Sequence, residues 1–336
     1  MKTFLRDLLL FAVPMIALGI VYVATDVFKV IWHHEPFHDD THPVAINRAH
    51  ESTMVYLQQN PRHHYDSFIF GNSRSLFYEA DTWKQHLPAG SSPFHFDASR
   101  GSVGMVHDAV AFIDRQGGRL SNVIIVFDHE ILSTMEQTTG YLFVTPPPLK
   151  QNRNLASFHM QHFMAFLNPK FLTALADFRL TGTFRPYMEN LIAAQHSTYL
   201  PVANEYQEPQ LEAAIARGTY YDATHISAFE GVQTPGTWSQ KSLGKEETES
   251  LKDIRRIFDR HHTNYKIVIS PLYDQVRLNP AALQTLQHIF GKAHVYDFSG
   301  PNKWNSDYHN YYEASHYRPH VAAEIMKTIY AGNTSR

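Results

Sequence analysis

The chain has 336 residues, of which 43% are hydrophobic, 18% charged and 13% aromatic. This composition supplies enough apolar and aromatic side chains for a sizeable core, and it excludes a disordered, collagen-like or coiled-coil protein. The 29 basic and 32 acidic residues leave a net charge of -3, which gives no reason to expect a nucleic-acid-binding protein. Since cysteine is absent, a disulfide framework, a thiol nucleophile and a cysteine-ligated zinc site are excluded.

The N-terminus carries an uncharged, mostly apolar stretch from Leu8 to Thr25. As a helix it would be roughly 27 Å long, close to the hydrocarbon thickness of a bilayer. Lys2 and Arg6 precede it, which favours a cytoplasmic N-terminus. We therefore expect residues 1–32 to be a single transmembrane anchor in the inner (cytoplasmic) membrane, with residues 33–336 on the periplasmic or extracytoplasmic side. A cleaved signal peptide and a buried core helix are the alternatives.

Beyond a polar linker, short apolar runs alternate with helical patterns. The runs predict buried strands at Ser67 to Phe70, Phe94 to Phe96, Asn122 to Phe127, Tyr265 to Ser270 and His294 to Phe298. The helical patterns cover Val44 to Gln59, with a stop at Asn60-Pro61, and Leu76 to His86, Val103 to Arg115, Lys245 to His261 and Pro280 to Phe290. Because the strands are continuously apolar, we expect an α/β fold with a parallel sheet covered by helices on both faces.

The alternation stops between Leu132 and about Gly244. Pro146-Pro147-Pro148 interrupts the chain, and helix-like stretches follow without an obvious strand. This pattern indicates a mostly helical insertion at about 133–244, placed over the strand ends where loops carry function.

Ser73 is the first candidate catalytic residue. The segment from Phe70 to Ser75 (FGNSRS) directly follows the first predicted strand and precedes a helical pattern. A tight turn at that point would present the Ser73 hydroxyl at the carboxyl edge of the sheet, with backbone N–H groups available to an oxyanion. A helix-capping role for Ser73 is the alternative.

Glu313 and His316 form the second candidate feature, between the last predicted strand and the last helix. A hydroxyl nucleophile needs a base, and the base needs an acceptor that fixes its tautomer. Three residues apart on a short turn, His316 and Glu313 could supply both, and Asp307 is the alternative acid.

At these residues the chain resembles the SGNH (GDSL-like) hydrolase superfamily, in which a nucleophilic serine follows the first strand and a D-x-x-H pair precedes the last helix. The resemblance implies a three-layer, flavodoxin-like sheet, with Ser73 as nucleophile and His316 as base. Glu313 stands in the position of the aspartate. Gly101 is the expected oxyanion donor beside Ser73 itself, with Gly104 as a weaker candidate.

The third motif of that superfamily normally offers an asparagine as a further oxyanion donor, whereas here the third strand ends in Phe127-Asp128-His129-Glu130. With this difference and its N-terminal apolar run, the chain looks most similar to the membrane-anchored proteins of envelope acylation. The D-alanyl transfer protein of teichoic-acid modification and the alginate and cellulose O-acetylation proteins are of this type. The resemblance implies a membrane-bound O-acyltransferase as partner and an envelope polysaccharide or teichoic-type polymer as substrate.

The leading expectation is thus a serine acyltransferase that moves an acetyl- or D-alanyl-type group onto an envelope polymer. An esterase that deacylates such polymers and an inactive scaffold in a membrane complex are the alternatives. Asn72, Arg74 and Asn310 are weaker candidates for substrate binding. Neither a catalytic metal nor a cofactor is expected, because the histidine pairs lack ligand spacing and no nucleotide-binding glycine motif occurs.

Overall fold

The computed structural model describes residues 2–39, 44–135, 140–150, 155–189, 191–192 and 197–331; the side chains of residues 2–5, 7–9 and 11 lie outside this description. The helices in the described part of the chain are α1 (Lys2–Thr25), α2 (Arg48–His63), α3 (Ala80–Lys84), α4 (Val103–Arg115), α5 (Leu155–Phe166), α6 (Pro169–Thr181), α7 (Pro209–Ala216), α8 (Ala223–Ser227), α9 (Lys245–His261), α10 (Pro280–Phe290) and α11 (Pro319–Tyr330).

The described strands are β1 (Ser67–Gly71), β2 (Pro93–Asp97), β3 (Asn122–Phe127), β4 (Thr198–Leu200), β5 (Glu205–Gln207), β6 (Asn264–Ile269), β7 (Val295–Asp297), β8 (Tyr311–Glu313) and β9 (His316–Tyr317). Five of them form a parallel central sheet in the order β2-β1-β3-β6-β7, and the others form two small hairpins. Ser67 of β1 pairs with Pro93 of β2 on one side and with Asn122 of β3 on the other.

Both faces of the sheet are buried, as the continuously apolar strands predict. Phe68 and Phe70 of β1 pack into a core formed with α2, α4, α9 and α10, whereas Ile69 packs into a second core formed with α3 and α11. Successive side chains of a strand point to opposite faces, so a strand buried on both sides must be apolar throughout. The prediction of an α/β fold with a helix-flanked parallel sheet is confirmed.

Two helix predictions differ from the structure at their ends. Helix α2 begins at Arg48, because the Asn47 side chain accepts the N–H of His50 at 3.0 Å and caps it. It continues past Pro61 to His63, so the predicted stop is wrong by about one turn, and the proline is accommodated in the last turn. The helix predicted from Leu76 to His86 is reduced to α3, because a 3-10 turn from Ser73 to Ser75 precedes it.

The segment at about 133–244 that is predicted to be a mostly helical insertion contains α5 to α8, and these four helices cover less than half of it. It also contains the antiparallel hairpin β4–β5, which the sequence did not reveal because each strand is three residues long. Residues 136–139, 151–154, 190 and 193–196 of the predicted insertion lie outside the described residues.

Helix α1 packs at its C-terminal end against the insertion. The Tyr22 ring lies 5.3 Å from the rings of both Phe163 and Phe166 of α5. Within the part of the chain that the structure describes, no helix combines the length and the apolarity needed to cross a membrane, so the structure does not show the transmembrane helix predicted in residues 1–32.

The β4–β5 hairpin docks onto the sheet domain through a buried carboxyl group. Glu205 accepts the backbone N–H of Ala80 and is 2% exposed. Burial is the main cause that raises the pKa of Glu205 to about 8, and the charge of Glu79 acts in the same direction. The carboxyl is therefore mostly protonated at neutral pH in the folded protein.

This raised pKa predicts a pH-dependent stability. Between the ordinary carboxyl pKa of roughly 4.3 and about 8, the folded state binds more protons than the unfolded state, so the free energy of unfolding falls as pH rises. Glu205→Gln should remove this contribution, and urea unfolding at pH 5 and pH 9 should show the variant gaining stability relative to wild type at pH 9. An identical pH dependence in both proteins would contradict the assignment.

Candidate active site

The strand order places a crevice at the end of β1. Strand β2 lies on one side of β1, and β3 lies on its other side. The connections that follow β1 and β3 therefore run in opposite directions across the sheet, which leaves a crevice between these two strands. Ligands of open parallel sheets bind at such a switch point, outside the carboxyl ends of the strands. The 3-10 turn that begins with Ser73 lies there, and Ser73 is partly exposed.

A buried hydrogen bond holds this turn to the end of β3. The Asn72 side chain accepts the N–H of Arg74 at 2.9 Å and donates to Asp128 at 2.8 Å. The other carboxylate oxygen of Asp128 accepts the N–H groups of Glu130 and Ile131 at 2.8 and 3.0 Å. Asn72 is fully buried, and both the oxygen and the nitrogen of its side-chain amide are hydrogen-bonded within the protein. These contacts stabilise the turn. The substrate-binding role of Asn72 stays a prediction.

Two glycines allow the backbone segments to approach closely. A Cβ atom on Gly71 would lie 2.9 Å from the carbonyl oxygen of Val126, and one on Gly101 would lie 2.7 Å from the carbonyl oxygen of Gly71. Gly101 therefore lies beside the turn, as an oxyanion donor should. Its N–H, however, donates to the carbonyl of Ala98 at 3.0 Å, within its own loop.

Glu313 and His316 face each other across a tight hairpin. They are paired residues of β8 and β9, with Ala314 and Ser315 as the two turn residues. His316 Nδ1 donates to one oxygen of Glu313, and the N–H of Ser315 donates to the other at 2.8 Å. The spacing of three residues thus arises from a two-residue hairpin turn, and it brings together the predicted base and acid.

The pKa of Glu313 lies below its usual value. Partial burial would raise it, but the hydrogen bond and charge of His316, the Ser315 N–H and the positive charge of Arg74 together outweigh that effect. Arg74 is 8% exposed, donates to Glu130 at 2.5 Å and lies 3.6 Å from Asp128. It therefore supplies positive charge between the end of β3 and the hairpin.

Hairpin β8–β9 lies against the Ser73 turn. Strand β9 contacts the turn, and the His316 ring packs edge-on to the ring of Phe77, with centroids 6.5 Å apart. Among the described residues, the hydrogen-bond partner of the His316 ring is Glu313, and no hydrogen bond joins His316 to Ser73. Catalytic hydrogen bonds are often long before substrate binds and shorten in the complex with substrate.

Asp307 is bonded elsewhere. It accepts from Nδ1 of His309 at 2.7 Å and caps the short turn before β8. Asn310 donates to the carbonyl of Trp304 at 2.8 Å and is bonded to His320 at 2.9 Å. Of the two candidate acids, Glu313 is thus the one that contacts His316.

Ser75 and His95 form a second serine–histidine pair, which was not predicted from the sequence. His95 Nε2 donates to Ser75 Oγ at 3.0 Å, and Ser75 in turn donates to the carbonyl of Asn72 at 2.7 Å. Both residues are fully buried, and burial lowers the pKa of His95 to about 4. This pair stabilises the turn from inside and is closed to substrate.

Ser73 also lines a cavity of about 500 Å³, of which the sequence gives no sign. A buried ionic cluster forms part of its wall: Arg48 donates to Glu51 at 2.8 Å and to Asp97 at 2.8 Å. Arg48 and Glu51 are three residues apart on a helix, a spacing that is typical of an exposed ion pair. The sequence offers no signal that this pair is buried.

No protein-family model matches the chain, and no curated protein matches it. The sheet order and the position of the Ser73 turn are compatible with the SGNH fold, but a parallel sheet with a switch point beside its first strand is not specific to that fold.

The close packing at Gly71 predicts a sensitive position. Gly71→Ala places a methyl group 2.9 Å from a backbone oxygen that cannot move freely, so we expect a loss of about 1–3 kcal/mol in the free energy of unfolding, measured by urea titration. Gly19→Ala is the matched control, since a Cβ there meets nothing within 4 Å. Equal stability of the two variants would contradict the close approach.

Proposed function

We propose that the protein is a serine acyltransferase that transfers an acetyl- or D-alanyl-type group to a cell-envelope polysaccharide or polyol polymer. The observation that carries the proposal is the position of the Glu313–His316 hairpin against the Ser73 turn, at the switch point of the sheet. A carboxylate, an imidazole and a partly exposed hydroxyl are the groups that nucleophilic acyl transfer requires.

The hydrogen bond from Nδ1 of His316 to Glu313 determines which nitrogen can act as the base. In the neutral imidazole, Nδ1 keeps its proton for Glu313, and the lone pair is on Nε2. Nε2 takes the proton of Ser73 as Oγ attacks the carbonyl of the acyl donor. The proton then passes to the leaving group, and an acyl ester remains on Ser73.

The second half of the reaction regenerates the serine. A hydroxyl group of the acceptor attacks the acyl ester, His316 takes its proton, and the proton returns to Ser73 Oγ as the ester bond to the serine breaks. If water attacks instead, the same residues hydrolyse the ester. Esterase activity on acylated envelope glycans is therefore the second candidate, and it shares the whole mechanism up to the acyl-enzyme.

The proposal includes attachment to the inner membrane. The uncharged run from Leu8 to Thr25 supports it, as do the large apolar side chains that α1 leaves more than 40% exposed. These side chains are Leu10, Val13, Met15, Ile16, Ile20, Val21 and Val23. We place residues 33–336 on the extracytoplasmic side.

A membrane-bound O-acyltransferase is the proposed partner. Activated acyl donors such as thioesters are made in the cytoplasm, so an extracytoplasmic Ser73 needs a protein that passes the acyl group through the bilayer. An esterase needs no such supply, and this difference separates the two candidate functions.

Loss of the nucleophile or of the base should abolish the activity. Ser73→Ala and His316→Ala should each lower the rate of p-nitrophenyl acetate turnover by about a thousandfold or more, and the double variant should be no worse, because the two residues act as a unit. Ser306→Ala changes an exposed serine and is the control. Full activity of Ser73→Ala would exclude Ser73 as the nucleophile.

The two candidate acids should respond differently. Glu313→Gln removes the carboxylate that His316 contacts, so we expect a clear loss in kcat, although a smaller one than in Ser73→Ala. Asp307→Asn should leave the rate nearly unchanged, since Asp307 is bonded to His309. The reverse result, a silent Glu313→Gln and an inactive Asp307→Asn, would make Asp307 the acid.

Purification from membranes in a gentle detergent tests the location and the partner together. Mass spectrometry of the intact complex should find a chain that retains residues 1–25 and copurifies with a polytopic membrane protein. A mature chain that begins beyond Thr25 would exclude the anchor. A lone, monodisperse chain that deacylates polymer would favour the esterase.

A further inference from the structure

The cavity beside Ser73 has the size and the composition of a ligand site. Its volume of about 500 Å³ falls within the roughly 300–1,000 Å³ that is usual for small-molecule sites. Ser73 contributes to its wall, and strand β9 with His316 lies against the same turn. A molecule in the cavity can therefore reach the Ser73 hydroxyl.

The buried cluster beside the cavity has two carboxylates and one guanidinium, and the cavity wall also includes Lys29 and Asp39, whose opposite charges are formally equal. Glu51 accepts from Arg48 at 2.8 Å, from His38 at 2.7 Å and from the Tyr206 hydroxyl at 3.0 Å. Asp97 accepts from Arg48 at 2.8 and 2.7 Å. Since both carboxylates are 1% exposed and share one guanidinium, the cluster keeps a formal excess of negative charge, and an additional anionic group would have to enter beside it.

The rest of the wall offers hydroxyl groups and aromatic rings. Ser73, Ser99 and Thr198 contribute hydroxyls, and Tyr199 and His38 form a stacked pair whose ring centroids are 3.6 Å apart. Hydroxyl groups hydrogen-bond the hydroxyls of a ligand, and aromatic rings cover the apolar faces of a ring.

We propose that this cavity binds a neutral sugar unit of the acceptor polymer and presents one of its hydroxyl groups to the acyl ester on Ser73. The inference rests on the proposed acyltransferase function for the role of the sugar, but the cavity itself predicts binding without any acyl transfer. The formal excess of carboxylates disfavours an anionic acceptor such as a uronic acid or a phosphate-linked polyol.

Saturation-transfer difference NMR on the full chain tests the binding directly. The probes are methyl β-D-glucoside and its anionic counterpart, methyl β-D-glucuronide. The glucoside should bind wild-type protein, and the glucuronide should bind about tenfold more weakly or worse, because a buried unpaired carboxylate is costly. Failure of the glucoside to bind, or tighter binding of the glucuronide, would overturn the inference.

Two variants test whether the sugar lies in the cavity. Ala45→Trp and Thr198→Trp fill it from different parts of its wall and should each weaken glucoside binding by about tenfold or more. Ala176→Trp, on the exposed side of α6, is the matched control and should bind as wild type does. If two folded cavity variants bind the glucoside normally, the cavity is not its site.

A separate measurement distinguishes a failure of the proposed acyltransferase function from a failure of the proposed sugar site. The initial burst of p-nitrophenol from p-nitrophenyl acetate reports acylation of the enzyme. Glucoside binding that the cavity variants abolish supports the sugar site whether or not a burst occurs, whereas a missing burst in wild-type protein counts against Ser73 acyl chemistry alone.

Discussion

The hydrogen bond between Asn72 and Asp128 is the constraint on which the geometry of the site depends. It joins the end of β1 to the end of β3 in a fully buried position. The charge of Asp128 is tolerated there because Asn72 and two backbone N–H groups donate to it and Arg74 lies 3.6 Å away. Removing Asn72 would leave a buried carboxylate short of a donor, so the turn and the strand end are stabilised as one unit.

A second network attaches the insertion to the sheet domain. Arg48 of α2 donates to the Asn204 side chain at 3.0 Å, and Asn204 in turn donates to Ser52 at 3.0 Å. Asn204 lies in the turn of the β4–β5 hairpin and donates to the carbonyl of His95 at 2.6 Å, so the turn is held beside the edge strand β2. The cavity beside Ser73 exists because this hairpin, helix α2 and the Ser73 turn enclose it.

Much of the fold could be predicted, because the strands of the sheet core are buried on both faces and are therefore continuously apolar. Strand β3 and helices α4, α9 and α10 have the bounds that hydrophobic periodicity indicates, since a strand buried on both faces can contain few polar residues. The contact between Glu313 and His316 was also predictable, because two residues separated by a two-residue turn are paired across it and their side chains lie next to each other.

The remaining features depend on contacts that are distant in sequence. The helix predicted from Leu76 begins late because Asn72 and Asp128, 56 residues apart, hold the chain in a 3-10 turn. Strands β4 and β5 are too short to show a period, and Arg48 and Asn204 are 156 residues apart. The burial of an ionic group is decided by such partners, and local sequence does not reveal them.

The central claim is that Ser73 is a nucleophile activated by His316. Labelling with a fluorophosphonate probe, followed by peptide mapping, tests it most directly, because the probe reacts covalently with an activated serine. We expect an adduct on Ser73 that is strongly reduced in His316→Ala and retained in Asp307→Asn. An unlabelled wild-type protein would indicate an inactive scaffold, and an adduct on another serine such as Ser99 would contradict the assignment of the nucleophile.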